Sequence, residues 1–337
     1  MNIQQNKDLT DFNTFRVKVT ADYFVEVTTE EELEDALDFS FTKNIPYQIL
    51  GGGSNILFVK DFQGVIIHIN NKGILWGEHA DDERIKVNVA AGEDWHNFVI
   101  LCLSKNLYGL ENLALIPGTV GGAPIQNIGA YGVEVKDLIE SVRVFDVLEK
   151  TWLKLLSQEC AFNYRSSLFR GSNRYVVFSV LFELGRKWEP KLSHKELSDK
   201  FRCKKIEPLD VFEEVCRIRT AKLPDPTVDG NAGSFFKNPF VPVSELNRLS
   251  SEFPEIPFYN TNDPNTVKIP AAWLLDNLGW KGKNLGSAVV SSNHALVIVN
   301  QGNASGEQIY DLAREMSLSV FDKYGITLAP EVKIIDS

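Results

Sequence analysis

The sequence predicts an α+β protein with more than one domain. Strand and helix patterns are mixed along the chain without the strict β-α-β alternation of a doubly wound parallel sheet. The length of 337 residues corresponds to two or three domains, at about 100–200 residues per domain. Hydrophobic residues make up 44% and charged residues 24% of the chain, which is a composition typical of globular proteins.

Local patterns predict most elements of the first third of the chain. An acidic capping-box pattern predicts a helix from Glu30 to about Thr42. Apolar residues at the i, i+3, i+4, i+7 spacing predict a second helix from Glu93 to Lys105. Short runs rich in β-branched residues predict strands at 23–27, 47–50, 65–69 and 85–90.

Beyond this region the chain returns to strands and then to helices. Strand patterns dominate from Val142 to Leu184, and a helix is predicted from Asp210 to Thr220. Pro224 and Pro226 then exclude a continuing helix, so we place a domain boundary there. A long helix is predicted from about Glu307 to Tyr324, followed by a closing strand at 331–335.

Charge and cysteine content exclude several classes of protein. The chain has 35 Lys and Arg against 45 Asp and Glu, which gives a net charge of −10. Nucleic-acid-coating proteins and proteins that bind anionic membranes need cationic surfaces, so no nucleic-acid or membrane partner is predicted. None of the four cysteines forms a Cys-x-x-Cys pair and the histidines form no tight ligand spacing, so we expect no metal. No signal peptide or membrane span is recognisable, which predicts a cytoplasmic protein.

Two glycine-rich clusters are candidates for binding a phosphate. The first, Gly51–Asn55, ends an apolar strand, and the second runs from Pro117 to Gly132. Glycines let a ligand approach the bare backbone, and consecutive N–H groups can converge on an anion. Neither cluster matches the Gly-x-Gly-x-x-Gly fingerprint or a P-loop. Plain tight turns are the alternative interpretation.

Three further clusters carry chemistry-bearing side chains, although each alone is common in purely structural settings. Tyr164 and Arg165 follow an asparagine, and Ser234 follows a glycine inside Asn231–Pro239. Glu331 follows Pro330 at the start of the last strand.

Together these clusters resemble the UDP-N-acetylenolpyruvoylglucosamine reductase family, flavoenzymes of peptidoglycan precursor synthesis. The resemblance covers nearly the whole chain, in the family's order. Its most specific parts are Gly-Leu-Glu-Asn-Leu-Ala-Leu-Ile-Pro-Gly at 109–118 and Asn-Ala-Gly-Ser-Phe-Phe-Lys-Asn-Pro at 231–239.

The resemblance implies a fold and two cofactors. It implies an FAD-binding domain of the vanillyl-alcohol-oxidase (PCMH) type, with subdomains at 1–68 and 69–222, the second joined by the tail 328–337. It also implies an α+β substrate-binding domain at 223–327. Bound FAD and the hydride donor NADPH are the implied cofactors; the preference for NADPH over NADH comes only from the family. No obligatory protein partner is inferred.

The implied reaction is reduction of the enolpyruvyl ether of UDP-N-acetylglucosamine enolpyruvate to the lactyl ether of UDP-N-acetylmuramate. Negative charge develops on the substrate carboxylate and α carbon, which calls for cations or strong donors there. By resemblance, Arg165 and Glu331 stabilise the enolic intermediate and Ser234 donates the proton to the α carbon. Glu331 suits that place if it is protonated or hydrogen-bonded through a partner.

The family's other contacts carry over to matching positions. The resemblance implies cofactor contacts from both glycine-rich clusters and one arginine: Gly51, Gly52, Gly53, Ser54, Asn55, Pro117, Gly118, Thr119, Gly121, Gly122, Gln126, Asn127, Gly129, Ala130, Tyr131 and Arg219. It implies substrate contacts from Tyr131, Tyr164, Lys222, Asn238, Tyr259, Lys268 and His294.

Two positions depart from relatives. His194 stands where one branch of the family has a lid tyrosine, which puts that lid contact in doubt. His294 stands where some relatives have glutamine, and it either contacts substrate or caps a strand.

Two rival functions remain at this level. A flavin-dependent oxidase on the same cofactor fold would not need Ser234 and Glu331. A non-catalytic flavin or nucleotide-sugar binding protein would not need the trio Arg165, Ser234 and Glu331 at all.

Overall fold

The computed structural model describes residues 1–77, 83–202 and 204–336. His79 and Cys203, which entered the prediction about metal ligands, lie outside the described residues. The chain forms two compact units. The first comprises Met1–Lys7, Ala21–Gly53 and Gln63–Ala221, and the second comprises Asp8–Thr20, Ser54–Phe62 and Lys222–Ser337.

Helices and strands are interspersed along the chain. The helices are α1 (Glu30–Lys43), α2 (Trp95–Ser104), α3 (Lys195–Phe201), α4 (Pro208–Lys222), α5 (Val243–Glu252), α6 (Ala271–Asn277) and α7 (Gly306–Tyr324). The strands are β1 (Ile3–Asp8), β2 (Thr20–Val27), β3 (Tyr47–Leu50), β4 (Ile56–Phe58), β5 (Phe62–Ile69), β6 (Ile74–Trp76), β7 (Arg84–Ala90), β8 (Gly129–Ala130), β9 (Val133–Glu134), β10 (Ile139–Asp146), β11 (Thr151–Leu156), β12 (Tyr175–Gly185), β13 (Phe240–Pro242), β14 (Tyr259–Asn260), β15 (Thr266–Lys268), β16 (Asn284–Leu285), β17 (Ala288–Val290), β18 (Ile298–Asn300) and β19 (Lys333–Ile335).

Two larger sheets build the first unit. One has the order β1-β2-β5-β3, in which β3 and β5 run parallel. The other is antiparallel and has the order β11-β10-β12-β7-β6. Helix α2 buries Trp95, Phe98, Val99 and Cys102, the face predicted from the spacing.

Helix starts follow local capping chemistry. The Thr29 side chain accepts a hydrogen bond from the Glu32 backbone N–H, so α1 begins at Glu30 as predicted. Asp94 does the same for the Asn97 N–H at 2.8 Å, which starts α2 at Trp95. The predicted helices and strands are therefore confirmed to within a few residues at each end.

The second unit is made of small sheets around helix α7. This helix begins with a capping box formed by Ser305 and Gln308. Its buried face includes Ile309, Leu312, Ala313, Met316 and Val320. The closing strand β19 pairs in parallel with β4, with Lys333 opposite Ile56.

The compact units divide the chain at 221/222, where α4 ends before Pro224. Segments 8–20 and 54–62 belong to the second unit because their backbones bond to its later residues. The Asn231 N–H donates to the Thr14 carbonyl at 2.9 Å, and the Asn300 side chain donates to Phe15 at 2.9 Å. The division of the cofactor region at 68/69 stays a prediction.

The described residues include no membrane-spanning helix and no cluster of metal ligands. Across 1–77, 83–202 and 204–336, no helix combines the length and the hydropathy needed to cross a bilayer. In that same part of the chain, no group of three or more His, Cys, Asp or Glu side chains is arranged to hold a metal ion.

Candidate active site

The two glycine-rich clusters touch each other inside the first unit. A Cβ on Gly52 would lie 2.9 Å from the Cα of Gly118, and a Cβ on Gly51 would lie 2.7 Å from the Thr119 Oγ1. The backbones approach so closely that a side chain at Gly52 does not fit. The result is one bare-backbone cradle, which fits the diphosphate of a dinucleotide cofactor.

The residues just before α2 fix the course of the second cluster. The Val120 N–H donates to the Glu93 carbonyl at 2.8 Å, and the Trp95 N–H donates to the Gly118 carbonyl at 3.0 Å. A Cβ on Gly121 would lie 2.6 Å from the Ala91 Cβ, so glycine is required here for close packing. The start of the second cluster is therefore held in place by backbone hydrogen bonds to the N-terminal end of α2.

The continuation of the second cluster is held by Asn127. Its backbone is left-handed, with φ +47°, and its side chain is fully buried. The Nδ2 group donates to Glu134 Oε2 and to the Asn163 carbonyl, both at 3.1 Å, and Oδ1 accepts from the Lys136 N–H at 3.1 Å. Asn127 therefore acts here as a structural clamp.

Tyr131 lies at the tip of the hairpin between β8 and β9. It adopts φ +49° and Gly132 adopts φ +86°, which is the backbone of a tight hairpin turn. Its ring packs edge-on against the ring of His194, with 5.0 Å between the ring centroids. His194 occupies the N-cap position of α3, so the substituted lid residue packs against a predicted ligand-binding tyrosine.

Arg165 lies in a strained turn next to this hairpin. Asn163 and Ser166 exchange backbone hydrogen bonds at 2.9 and 3.1 Å, and Arg165 between them has φ +48°. Its Nη2 donates to the Gly129 carbonyl at 2.6 Å. Left-handed backbone is costly for a residue with a Cβ, so such a residue persists only where its surroundings hold it.

Arg219 joins this region from α4. Its Nε donates to the Leu115 carbonyl at 3.1 Å. Burial lowers the pKa of Arg219, and Arg165 lowers it further, whereas Tyr131 and Cys216 raise it. The first unit therefore holds the guanidinium groups of Arg165 and Arg219 close enough to affect each other, in a protein whose net charge is −10.

In the second unit, an antiparallel ladder brings Ser234 and Glu331 together. The Phe235 N–H donates to the Leu296 carbonyl at 2.7 Å, and the Glu331 N–H donates to the Phe235 carbonyl at 2.7 Å. Ser234 also forms a bridge with Val297. Glu331 therefore lies opposite Phe235, the residue next to Ser234, on the adjacent segment. Ser234 and Glu331 are two of the three residues predicted to be catalytic.

Asn55, which belongs to the second unit, is bonded to the same ladder. Its Nδ2 donates to the Glu331 carbonyl at 3.1 Å, and its own carbonyl accepts from the Lys333 N–H at 3.0 Å. The residue predicted to contact the cofactor is therefore bonded to the backbone of the predicted catalytic glutamate.

His294 caps the neighbouring turn. Its Nδ1 accepts from the Leu296 N–H at 3.3 Å and its carbonyl accepts from the Val297 N–H at 3.0 Å. Burial lowers the pKa of His294, Lys222 lowers it as well, and Asp276 raises it. The capping alternative is thus observed for Nδ1, and a substrate contact stays a prediction.

Three predicted substrate residues lie around the sheet β13-β15-β14. Lys268 pairs with Tyr259 on one side and Phe240 on the other. The Lys268 Nζ lies 5.6 Å from the centroid of the Tyr259 ring, which is 56% exposed. The Oδ1 atom of Asn238 already accepts a hydrogen bond from the Ala271 N–H, at 2.9 Å.

The predicted site residues divide between the two units. Those of the first unit are Gly51, Gly52, Gly53, Pro117, Gly118, Thr119, Gly121, Gly122, Gln126, Asn127, Gly129, Ala130, Tyr131, Tyr164, Arg165 and Arg219. Those of the second unit are Ser54, Asn55, Lys222, Ser234, Asn238, Tyr259, Lys268, His294 and Glu331.

Two residues that the sequence analysis missed contact predicted site residues or the segment before them. Arg170 Nη1 donates to Gln126 Oε1 at 3.3 Å and to the Arg165 carbonyl at 3.2 Å. His96 Nδ1 accepts from the Leu115 N–H at 3.0 Å. The amphipathic pattern predicted a helix from Glu93 to Lys105, which includes His96, but it did not indicate a contact with Leu115.

Comparison with known proteins gives consistent matches over the whole chain. A family model for the C-terminal domain of UDP-N-acetylenolpyruvoylglucosamine reductase matches residues 225–335, and a model for an FAD binding domain matches residues 21–152. The reductase of that name from Shewanella sediminis is 41% identical over 99% of this chain and 97% of its own length. The one from Pasteurella multocida is 40% identical, over 98% and 96%.

The chain belongs to the UDP-N-acetylenolpyruvoylglucosamine reductase family. A crystal structure of the reductase from Thermus caldophilus, 26% identical, superposes with a TM-score of 0.69 and covers 99% of both chains. Family membership confirms the α+β fold with an FAD-binding domain. The match of the reductase C-terminal model starts at residue 225, directly after the end of α4 at Lys222.

Proposed function

We propose that this chain reduces UDP-N-acetylglucosamine enolpyruvate to UDP-N-acetylmuramate, using NADPH as hydride donor and FAD as the bound cofactor. The observation that carries the proposal is the match, at about 40% identity and nearly full length, to reductases named for this substrate. The enzyme is thus an oxidoreductase that acts on a carbon–carbon double bond.

The cradle formed by Gly51, Gly52, Gly118 and Thr119 would hold the FAD diphosphate, since a side chain at Gly52 would meet the Gly118 backbone and one at Gly51 would meet Thr119 Oγ1. When bound, FAD supplies hydride transfer between NADPH and the enolpyruvyl group. The remaining predicted contacts of both clusters, together with Arg219, would hold the rest of the cofactor.

Arg165 stabilises the negative charge that develops on the substrate carboxylate. Its guanidinium is oriented by the Gly129 carbonyl at 2.6 Å and by the turn that fixes its backbone. A donor that is fixed beforehand costs no reorganisation when the charge appears, which is the main source of electrostatic catalysis.

Ser234 donates a proton to the α carbon, and Glu331 supports the same intermediate. The backbone of Phe235 is hydrogen-bonded to Leu296 on one side and to Glu331 on the other. The backbones of Ser234 and Glu331 are therefore held without help from either side chain. A serine hydroxyl is a weak acid, so it can serve only a strongly basic intermediate in a preorganised site.

Cations and aromatic rings bind the nucleotide sugar. Lys222 and Lys268 would neutralise the diphosphate, and Tyr259 beside Lys268 offers an exposed ring. Tyr131, Tyr164, Asn238 and His294 complete the proposed substrate contacts, for Asn238 through its Nδ2 group, since its Oδ1 accepts the Ala271 N–H.

The product is a peptidoglycan precursor. We therefore place the chain in cell-wall biogenesis, and through it in cell shape and division. The cytoplasm as its location, and function without an obligatory protein, nucleic-acid or membrane partner, stay predictions from the sequence.

The visible spectrum of the purified protein tests the proposal. A flavin spectrum that NADPH bleaches anaerobically, and that the enolpyruvyl nucleotide sugar restores, is the expected result. Bleaching without restoration would favour a flavin oxidase, and rapid recovery in oxygen would support that rival. A protein that binds added FAD but is not bleached would favour the non-catalytic alternative.

A further inference from the structure

Leu115 is an unusual residue at the entrance to the second glycine-rich cluster. Its backbone is left-handed, with φ +57°, and it lies three residues before Gly118. This conformation is costly for a leucine, because its Cβ crowds the following carbonyl. The turn into Pro117 and Gly118 therefore needs contacts that hold Leu115 in place.

Both backbone polar groups of Leu115 are bound by side chains. The N–H donates to His96 Nδ1 at 3.0 Å, and the carbonyl accepts from Arg219 Nε at 3.1 Å. The two side chains come from different helices, α2 and α4. Leu115 is thus held at both its N–H and its carbonyl group.

His96 is itself well placed for this contact. It follows Trp95 in the first turn of α2, and its ring stacks on the Phe212 ring of α4 at 5.7 Å, with the planes 4° from parallel. Trp95 binds the same loop on both sides of Leu115, through Nε1 to the Leu113 carbonyl at 2.8 Å and through its N–H to Gly118.

We infer that His96 is a positioning residue for the FAD diphosphate loop, and that it acts as a neutral imidazole whose Nδ1 accepts the Leu115 N–H. The inference rests on the proposed function, since it takes the cradle at Gly52 and Gly118 to be the cofactor site. His96 acts through Leu115 rather than by touching the cofactor.

The surroundings of His96 favour the neutral form at neutral pH. Burial lowers the pKa of His96 from its usual value near 6.5. Arg219, which faces it from α4, lowers the pKa further, and Asp94 on its own helix turn raises it. Protonation would place an N–H of the ring against the N–H of Leu115, and the clamp would open.

The test compares two substitutions at one position in the cofactor-free protein, by titration with FAD. His96→Phe keeps a flat ring against Phe212 but removes the acceptor. His96→Asn keeps an acceptor near the position of Nδ1 but removes the ring. We expect His96→Phe to weaken FAD binding by roughly tenfold, and His96→Asn to bind within about threefold of the wild type.

A merely structural role for the ring would give a different pattern. Equal weakening by both substitutions, or unchanged binding by His96→Phe, would overturn the inference. Melting temperatures of the cofactor-free proteins show whether the variants fold. A wild-type protein that does not bind FAD would instead overturn the proposed function, and the inference with it.

The dependence on pH gives a second readout. The neutral form is complete above the lowered pKa of His96 and is lost as pH falls through it, so FAD binding by the wild type should weaken at acidic pH. His96→Asn, which does not titrate, should show no such weakening. Identical pH profiles for the two proteins would contradict the inference.

Discussion

The two units hold their predicted site residues by different means. Around the second glycine-rich cluster of the first unit, four residues other than glycine are left-handed: Leu115, Asn127, Tyr131 and Arg165. In the described residues from 222 to 336, left-handed backbone occurs only at glycines. There, Ser234 and Glu331 are placed by main-chain hydrogen bonds of an antiparallel ladder.

This difference predicts how each region responds to mutation. Strained turns keep their shape only through the side chains that hold them, so substitutions in the first unit should displace neighbouring groups. A ladder of main-chain bonds is independent of side-chain identity, so substitutions in the second unit should remove chemistry and leave geometry intact.

The largest expected effect tests the ladder. Ser234→Ala should slow the reaction of the NADPH-reduced protein with the enolpyruvyl substrate by roughly 10²–10⁴, the usual contribution of a general acid. Reduction by NADPH and the melting temperature should not change. Stopped-flow absorbance measures both half-reactions, and Ser251→Ala on the exposed face of α5 is the control. Loss of both half-reactions would contradict the assigned role and the independence of the ladder.

The next effect tests the strained turn that holds Arg165. Arg165→Lys keeps the charge but loses the forked geometry and the bond to the Gly129 carbonyl, so the same half-reaction should slow by about 10². Arg143→Lys is a matched control, since Arg143 pairs with Glu30 on the surface and exposed pairs contribute little. Full activity of Arg165→Lys would mean that charge alone suffices and that the turn has no catalytic purpose.

A pair of glycines compares the two regions directly. Gly52→Ala would push a Cβ to 2.9 Å from the Gly118 Cα and should weaken FAD binding by roughly 10- to 100-fold. A Cβ on Gly233 meets no atom within 4 Å, and φ is +68°. Gly233→Ala should therefore cost only about 1 kcal/mol of stability and leave FAD affinity unchanged. Similar FAD affinities for both variants would refute the shared cradle.

The smallest effect isolates backbone strain. Asn127→Ala and Asn127→Gly both remove the three hydrogen bonds of this side chain, so both should be destabilised by a few kcal/mol. Only Ala adds strain at φ +47°, so Asn127→Ala should be about 0.5–1 kcal/mol less stable than Asn127→Gly. Urea unfolding measures the difference. Alanine proving the more stable of the two would show that this turn relaxes without strain.

Local patterns predicted the elements whose causes are local. The bounds of α1 and α7 follow from caps at Thr29 and Ser305, and the buried face of α2 follows from its spacing. Helix α5 was not predicted, although Leu246 and Leu249 show the spacing of a buried face. Strands β13 to β18 have only two or three residues each, which is too short for a period to be recognised.

The site was predicted unevenly for a similar reason. The glycine-rich clusters are visible because glycine has a physical meaning at every position, whereas Arg165, Ser234 and Glu331 were found only through family motifs. His96 was not predicted, because it binds a backbone amide 19 residues away in the sequence. The assignment of segments 8–20 and 54–62 to the second unit was not predicted, because pairing between distant segments produces no pattern in the local sequence.

The pairing of β4 with β19 has a consequence for how the protein is made. Asn55 is bonded to Glu331 across 276 residues of chain. At about 5–20 residues per second, synthesis of that stretch takes roughly 15–55 s. Strand β4 emerges long before its partner exists, so its open edge is available to other strands throughout that time. The bond between Asn55 and Glu331, and the pairing of β4 with β19, can therefore form only after residues 331–335 have been made.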